Sequence, residues 1–550
     1  MPPLLALVLS LGFSFVLLRR ESKHHPEVSS AVWIPCIWLL ILGSRPVSSW
    51  LSLGTPLPDS VSLEEGSPTD RLALLALMVM AFIVLVRRRI AWGQVFANNP
   101  WLFVFFAYCA LSVLWSDFPG VAFKRWLKAF ADPLMALVLA TERHRAAAVA
   151  TVLRRCAFLL LPLSIVFIKY YPRLGRQIDP WSGFTSYSGV GTTKNMLGYL
   201  LFSFGLLFVC TLVTKKDTDT HNPARRLEMG ISVIFLVMIA YLYQMSDSKT
   251  SLLALLGACA LVLGLATAFV RRNFGAIMVT TVVTVALLQV YFDFYGLVAA
   301  GAGRDTTLTG RTDIWAAVLA MDVDPLVGVG FQSFWLGDRL SILWARFPLF
   351  RPVQAHNGYI EMYLNLGWIG LCIFGGFLLA TYRSARESLA PAGVLGRTHA
   401  DDILAKFGVA YLTALVLYNV TEATFKPLNF LFIILLMVTI RYTQRQESAI
   451  RATATQRVES EASFGSMAGP RTAFRWQPTR RLTDSSGLRT DGSGLRGTKR
   501  TRPRFDRREV RDVEEEKSGA ESMNGRIAGR HLPGHVSRLP PAEPNRRSRR

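Results

Sequence analysis

Long apolar runs separated by short polar stretches make up the chain as far as residue 440. The hydrocarbon core of a bilayer requires roughly 20 apolar residues per helix, and fewer where flanking side chains reach the interface. About thirteen segments meet this requirement, some of them short. They centre on Pro3 to Leu18, Ala31 to Gly43, Leu72 to Val86, Trp101 to Trp115, Val121 to Ala140, Ala146 to Ile168, Met196 to Thr214, Leu227 to Met245, Ser251 to Val270, Phe274 to Ala300, Tyr359 to Thr381, Ile403 to Val420 and Leu428 to Ile440. The pattern predicts an all-α fold, a polytopic transmembrane helical bundle of about 12–13 spans.

One of these segments, Val121 to Ala140, is interrupted by charge. Lys124, Arg125, Lys128 and Asp132 fall inside it, and charged side chains are costly in hydrocarbon. We therefore expect its first half to lie along the membrane interface.

Lys and Arg collect in alternate loops, and this sets an orientation because cytoplasmic loops are enriched in these residues. The basic loops carry Arg19, Arg20, Lys23, Arg87, Arg88, Arg89, Arg143, Arg145, Lys215, Lys216, Arg225, Arg226, Arg271, Arg272, Arg383 and Arg386. We assign that side to the cytoplasm of a bacterial inner membrane. The opposite side then carries a large periplasmic loop, residues 301–357, in which we expect short helices.

The chain divides by composition into three parts. Residues 1–100 hold N-terminal spans, of which Pro3 to Leu18 is interpreted as a retained span, with a signal peptide as the alternative. Residues 101–443 form a transmembrane core with the periplasmic loop. Residues 444–550 are rich in Arg, Ser, Gly and Pro, so we expect a disordered, basic cytoplasmic tail.

Composition supports a membrane protein and argues against a nucleic-acid partner. The chain is 51% hydrophobic and only 18% charged, where a soluble protein carries about 25% charged residues. The formal net charge is +23, but the basic residues flank apolar runs or lie in the tail, which is typical of topology signals. All six cysteines fall in apolar stretches without CxxC spacing, which indicates free core cysteines and neither a disulfide framework nor a zinc site.

The sequence lacks the motifs of nucleotide hydrolysis and of common hydrolases. No Walker GxxxxGK[ST], HExxH or GxSxG is present. Two DxD triplets occur, Asp217 with Asp219 and Asp322 with Asp324, but such a triplet arises easily by chance. We therefore expect neither a metal nor a cofactor.

Four predicted spans enter from the outer face with unusual polar starts. These starts are Ser188 to Asn195, Ser246 to Thr250, Gln354 to Gly358, and Glu422 with Lys426 and Pro427. A helix N-terminus offers unpaired N–H groups and about half a positive charge, so a lysine there is unfavourable unless an anion is shared. Together these starts favour a receptor for an anion.

The periplasmic loop contains a further basic helix start at Arg311. A short helix is predicted from Asp313 to about Met321, with Trp315 one turn beyond Arg311 on the same face. Arginine suits bidentate contact with phosphate, and a tryptophan face suits sugars. The alternative is that Arg311 pairs with Asp305 or Asp313 and that Trp315 anchors the interface.

His356 precedes a span on the same outer face. A lone histidine at a membrane boundary is commonly a hydrogen-bonded packing residue. Its place beside several outward basic residues favours proton transfer near neutral pH instead.

Several motifs from Trp101 to Ile440 resemble one known superfamily. The motifs are Gly310–Trp315, Asp324–Phe331, Ala355–Tyr359 and Leu366–Leu371, with Thr193–Gly198, Ser246–Thr250 and Val113–Ser116. The first four resemble the O-antigen ligase and Wzy-type polymerase superfamily, and the last three its exopolysaccharide polymerase (ExoQ-like) branch. Lys249 stands where many ligases carry Arg, and about thirteen spans exceed the usual dozen or so.

The resemblance implies a metal-independent glycosyltransferase that uses an undecaprenyl-pyrophosphate-linked oligosaccharide as its donor. Arg311, Lys249, Lys194 and Arg176 would then bind the pyrophosphate. The catalytic base would be His356, with Glu422 in reserve. Sugar and acceptor contacts would come from Trp315, Asn357 and Asn195.

Three functions remain open from the sequence. The first is polymerisation of repeat units into exopolysaccharide, with membrane lipids and a flippase, chain-length regulator or export protein as partners. The second is an O-antigen ligase that transfers polysaccharide to lipid A core or another acceptor. The third is a transporter or flippase of lipid-linked sugars, which would place ionisable groups near the membrane midplane.

Overall fold

A computed structural model describes residues 1–52, 67–178, 183, 185–214, 223–265, 267–277, 280, 311–348, 351–389 and 398–442. These residues belong to one compact unit, Met1–Ser466. Most of the predicted span from Phe274 to Ala300, the pair Asp217 and Asp219, and the tail 444–550 lie outside the described residues.

The described chain is built almost entirely from helices. Those before the hairpin are α1 (Pro3–His24), α2 (Trp33–Leu42), α3 (Val47–Leu51), α4 (Pro68–Arg87), α5 (Trp92–Asn98), α6 (Pro100–Leu111), α7 (Pro119–Ala129), α8 (Ala131–Ala140), α9 (Arg145–Tyr170) and α10 (Pro172–Gly175). Short 3-10 turns occupy Ser30–Val32 and Ser112–Trp115. The hairpin pairs β1 (Arg176–Ile178) antiparallel with β2 (Thr185–Tyr187). After it come α11 (Lys194–Val213), α12 (Pro223–Ser246), α13 (Lys249–Gly264), α14 (Arg311–Leu319), α15 (Gly337–Arg346), α16 (Gly358–Glu387), α17 (His399–Tyr418) and α18 (Phe430–Thr439).

Six described helices are long and apolar enough to cross a membrane: α1, α4, α9, α11, α12 and α16. The pair Trp92–Asn98 and Pro100–Trp115, bent by 95°, makes a seventh if it is one span. Shorter apolar helices cover Ser30–Leu42, Lys249–Gly264 and Phe430–Thr439. The predicted all-α, multi-pass membrane class is confirmed, and the total of about 12–13 spans stays a prediction.

The charged segment Val121 to Ala140 forms two helices, α7 and α8, that meet at Phe130. Asp132, at the start of α8, is fully buried. Its carboxylate accepts the Trp38 indole N–H at 3.0 Å and the Leu428 amide at 2.7 Å. Leu428 has a positive φ of 58°, so this buried acceptor holds a strained turn just before α18.

The long loop that precedes α16 is fastened to this helix where the helix kinks at Gly367. Gly367 has φ 62° and ψ −168°, and a Cβ there would lie 2.2 Å from the Leu326 carbonyl carbon. The kink frees two amides for the loop, since Trp368 donates to the Pro325 carbonyl at 2.9 Å and Ile369 to that of Leu326 at 3.1 Å. Glycine is required here because no side chain fits and the backbone is left-handed.

A small apolar core closes the loop over the start of α16. Its buried residues include Ile314 and Val318 of α14, Phe334, Leu343 of α15, and Leu364 of α16. Burial of these side chains fixes α14 against α16. The N-terminus of α14, which carries Arg311, is thereby placed near the N-terminus of α16.

Candidate functional site

Glu422 is the centre of the candidate site and lies in the loop between α17 and α18. It is 1% exposed. One carboxylate oxygen accepts from Arg311 Nη2 at 2.8 Å and from Asn195 Nδ2 at 3.0 Å. The other accepts from Tyr199 Oη at 3.4 Å and lies 3.7 Å from His356 Nδ1. We call these five residues the Glu422 cluster.

Arg311 reaches Glu422 from the first residue of α14. Its Nη1 also donates to the Thr421 carbonyl, so the guanidinium contacts both the backbone and the side chain of the same loop. The side chain is 12% exposed. The sequence left open that Arg311 pairs with Asp305 or Asp313. Pairing with Asp313 is wrong, because the carboxylate that Arg311 contacts is that of Glu422. Asp305 lies outside the described residues.

Glu422 is held in its ionised form. Burial raises the pKa of this carboxyl, but the Arg311 charge and the contact with His356 outweigh burial and lower the pKa below its ordinary value. A carboxylate with a lowered pKa is a weak proton acceptor near neutral pH. The geometry therefore suits Glu422 for orienting Arg311 and His356 better than for acting as the base.

The backbone at His356 is left-handed, with φ 51°. Both polar groups of the preceding Ala355 are bonded, since its amide donates to Glu361 Oε2 at 3.0 Å and its carbonyl accepts from Trp315 Nε1 at 2.7 Å. After His356, the Gly358 amide lies 2.8 Å from the Asn419 carbonyl and 3.1 Å from that of Glu422. A strained conformation persists only where neighbouring contacts fix it, and these contacts do so on both sides of His356.

Glu361 joins this loop to the wall of the site. While one of its oxygens accepts the Ala355 amide, the other accepts the Trp335 indole N–H at 2.7 Å. Glu361 lies in the first turn of α16, where a carboxylate also suits the helix N-terminus. Sequence reasoning missed Glu361, Trp335 and Tyr199. An acidic residue at the start of an otherwise apolar span was the signal for Glu361.

The two predicted asparagines have different roles. Asn195 binds Glu422 directly. Asn357 is the N-cap of α16, and its Oδ1 accepts the amides of Tyr359 at 3.0 Å and Ile360 at 3.1 Å. The structure thus gives Asn357 a local capping role beside His356.

The two predicted lysines begin helices next to the cluster. Lys194 is the first residue of α11 and precedes Asn195, while Lys249 is the first residue of α13. A Cβ on Gly198 would lie 2.5 Å from Ser248 Oγ, so α11 and α13 touch at these ends. Both lysines therefore lie at helix N-termini on the Asn195 side of the cluster.

Arg176 and Trp315 are held by local contacts. Arg176 Nε donates to the Ile168 carbonyl at 2.9 Å, and the guanidinium lies 5.7 Å from the Tyr187 ring centroid. None of the contacts of Arg176 within the described residues joins it to Glu422. Trp315 supports the His356 loop through the Ala355 carbonyl.

The site joins a cation, a carboxylate and an imidazole at convergent helix ends, an arrangement suited to anion binding coupled to proton transfer. In the part of the chain that the structure describes, no group of three or more His, Cys, Asp or Glu residues is arranged to hold a metal ion.

Comparisons with known proteins show what the chain resembles in sequence. A sequence model of the O-antigen ligase family matches residues 231–375, a segment that includes Lys249, Arg311 and His356 but not Glu422. The exopolysaccharide production protein ExoQ of Rhizobium meliloti (strain 1021) is 26% identical over 315 residues, which is 54% of this chain and 68% of that protein. The chain is therefore similar to the O-antigen ligase family over residues 231–375 and, over a longer segment, to an exopolysaccharide production protein.

Proposed function

We propose that the protein is a membrane glycosyltransferase that polymerises polyprenyl-pyrophosphate-linked oligosaccharide repeat units into exopolysaccharide at the periplasmic face of the inner membrane. The observation that carries the proposal is the contact of Arg311 and His356 with the single buried carboxylate of Glu422. One group can bind a leaving anion and the other can accept a proton, and Glu422 keeps the two at a fixed spacing.

Arg311 is proposed to bind the pyrophosphate of the donor. A guanidinium carries five N–H donors in a planar fork, so it can contact phosphate oxygens while Glu422 still orients it. The N-terminus of α14 adds its own partial positive charge at the same place. Charge that develops on the departing pyrophosphate is stabilised by these donors.

His356 is proposed as the general base. Its Nδ1 lies 3.7 Å from Glu422 Oε2, and we assign to Nε2 the uptake of the proton from the acceptor hydroxyl. The acceptor oxygen bonds to the anomeric carbon, the bond from that carbon to the pyrophosphate oxygen breaks, and the polyprenyl pyrophosphate leaves. Glu422 stabilises the imidazolium that forms, as a carboxylate does beside a catalytic histidine.

Lys194 and Lys249 are proposed as secondary anion contacts because they begin the adjoining helices. Arg176, whose guanidinium is engaged by Ile168 and Tyr187, is the weakest of the predicted phosphate ligands. Trp315 and Asn357 act on the substrate through the His356 loop.

The proposal is tested with purified protein in detergent supplied with lipid-linked repeat units and assayed for longer glycans. We expect His356→Ala and Arg311→Ala each to lower the rate by about a hundredfold or more while the protein is still inserted and expressed. Matched controls are His24→Ala, which is exposed, and Arg339→Ala, which breaks only the partly exposed pair with Asp117. Full-length polymer from both site variants would refute the assignment.

Two other functions, those of a ligase and of a transporter, can be distinguished by further experiments. A strain without a polymerase accumulates single repeat units, whereas loss of a ligase leaves long lipid-linked chains. Movement of lipid-linked sugars across proteoliposomes without elongation would instead identify a transporter.

A further inference from the structure

A cavity of about 270 Å³ opens beside the Glu422 cluster. Its lining includes Arg125, Gln332, Trp335, Glu361, Phe425 and Lys426. We call it the outer cavity. The proposed mechanism assigns no substrate group to it.

The outer cavity is connected to His356 by two routes. Lys426 Nζ donates to Gln354 Oε1 at 2.8 Å, and the amide nitrogen of Gln354 lies 3.5 Å from His356 Nδ1. Glu361 lines the cavity and binds the Ala355 amide next to His356. A group bound in the cavity is therefore close to the proposed base.

The lining combines aromatic rings with planar polar side chains. Trp335 and Phe425 supply apolar faces, and Gln332 supplies an amide. The amide of Asn365, which also lines the cavity, is bonded to Phe334 and Glu361. The charged groups are engaged within the protein, since Arg125 donates to the Gln332 carbonyl, Lys426 to Gln354, and Glu361 accepts from Trp335 and Ala355. A ligand with several hydroxyl groups can donate to and accept from such polar side chains while it packs on the rings.

The size of the cavity limits the ligand. Sites for drug-sized molecules occupy roughly 300–1,000 Å³, so a volume of about 270 Å³ fits one sugar ring and not a whole repeat unit. A ring has apolar C–H faces for the aromatic side chains and hydroxyls for the amides.

We propose that the outer cavity binds the terminal sugar of the acceptor glycan and presents its hydroxyl to His356. This inference rests on the proposed glycosyltransferase function and adds the place of the acceptor to it. The cavity contributes binding and orientation and makes no bond.

The test uses residue 353, because Val353 lines the cavity and is 45% exposed. A Val353→Cys variant in a Cys372→Ser background keeps the core intact, since Cys372 is the exposed cysteine of the described residues. The matched control is Ile342→Cys, at a position 58% exposed in α15 and outside the cavity lining. The probe is the free oligosaccharide released by mild acid from the lipid-linked repeat unit.

We expect this oligosaccharide to slow maleimide labelling of Val353→Cys at least threefold and to leave labelling of Ile342→Cys unchanged. Labelling with a bulky maleimide should raise the KM for the oligosaccharide as acceptor about tenfold with the donor KM unaltered. Equal labelling rates with and without the sugar, or an unchanged acceptor KM, would overturn the cavity proposal. Absence of elongation by the unlabelled parent protein would instead count against the proposed function.

Discussion

Two buried clusters in this protein contain the same three residue types. Arg311, Glu422 and His356 form one. In the other, Arg154 lies 2.8 Å from Glu21 and 3.0 Å from His25 Nε2. The ion-pair distance is the same 2.8 Å in both, so neither composition nor contact distance separates a site from a structural ion pair.

The clusters differ in how their charges are matched and where they lie on the helices. Arg154 is within a helix of 26 residues and has a second carboxylate, Glu228, at 3.6 Å. His25 is likewise paired with Glu27 at 2.9 Å. The Arg154 cluster thus has more than one acid for its cation, which is the pattern of a buried network that connects helices.

In the Glu422 cluster the contacts come from helix starts and loops. Arg311 opens α14, His356 has a positive φ of 51°, and Glu422 lies between two helices. Strained backbone costs stability, and so does a cation at a helix N-terminus; both features are common where a ligand binds. The comparison teaches that the placement of the residues, more than their identity, supports the proposal that this cluster is the functional one.

The largest expected effect that tests this comparison comes from replacing each of the two arginines, Arg154 and Arg311, with glutamine. Arg154→Gln leaves Glu21 buried without its main partner, so we expect a loss of about 3–5 kcal/mol of stability with activity per folded molecule within about twofold of the parent. Arg311→Gln also leaves a buried carboxylate, Glu422, without its cation, so we expect a comparable loss of stability and, in addition, an activity per folded molecule that is about a hundredfold lower. Thermal unfolding in detergent and the elongation assay measure the two. An inactive but stable Arg154→Gln protein would erase the distinction.

A smaller effect is expected at Glu361, which we regard as a positioning residue for His356. Glu361→Gln keeps the shape but turns one acceptor oxygen into an amide, so either the Ala355 amide or the Trp335 indole loses its acceptor. We expect kcat to fall about tenfold with the KM for the donor unchanged.

The control for Glu361 is Trp335→Phe, which removes only the indole donor. If the carboxylate positions His356 through Ala355, Trp335→Phe should retain most of kcat. Equal losses in both variants would show that Trp335, and not the Ala355 amide, is the contact that matters.

The sequence was sufficient to predict the helical class and the convergence of Arg311, His356, Asn195 and Glu422, because alternate spans start on one face of a membrane. It was not sufficient to predict that Arg311 contacts Glu422, which lies 111 residues away. Local spacing offered only Asp305 or Asp313 as an alternative partner. Such pairings depend on how helices pack, and a one-dimensional pattern records only which face of each helix is apolar.

For Arg176, the sequence predicted a contact with the ligand but could not show the contacts that this side chain makes within the protein. A basic residue in a loop on the predicted outer face was a reasonable phosphate ligand, but its guanidinium is turned toward the Ile168 carbonyl and Tyr187. Tyr199 was missed because it lies inside an apolar span, where a tyrosine gives no signal of a polar contact. It is one helical turn beyond Asn195, and its hydroxyl donates to Glu422.

The smallest expected effect that distinguishes the Glu422 cluster from other ion pairs is the change in melting temperature at acidic pH. Burial raises the pKa of Glu422, but Arg311 and His356 bring it below the ordinary 4.5. The ionised form therefore stabilises the folded protein above pH 4.5, and this contribution is lost as the pH falls from 4.5 through the lower folded-state pKa. Glu422→Gln has no carboxylate at this position, so its stability does not include this contribution at any pH. The melting temperatures of parent and variant should therefore converge by a few degrees over that range.

The control for this measurement is Asp117→Asn, which removes the carboxylate that pairs with Arg339. The side chain of Asp117 is 49% exposed. Exposed pairs contribute little because water and salt screen them, so its melting temperature should follow that of the parent at every pH. A Glu422→Gln protein that also followed the parent throughout would mean that Arg311 and His356 gain nothing from the ionised carboxylate. The Glu422 cluster would then be no better matched in charge than a surface pair, and the reason for assigning anion binding to it would be lost.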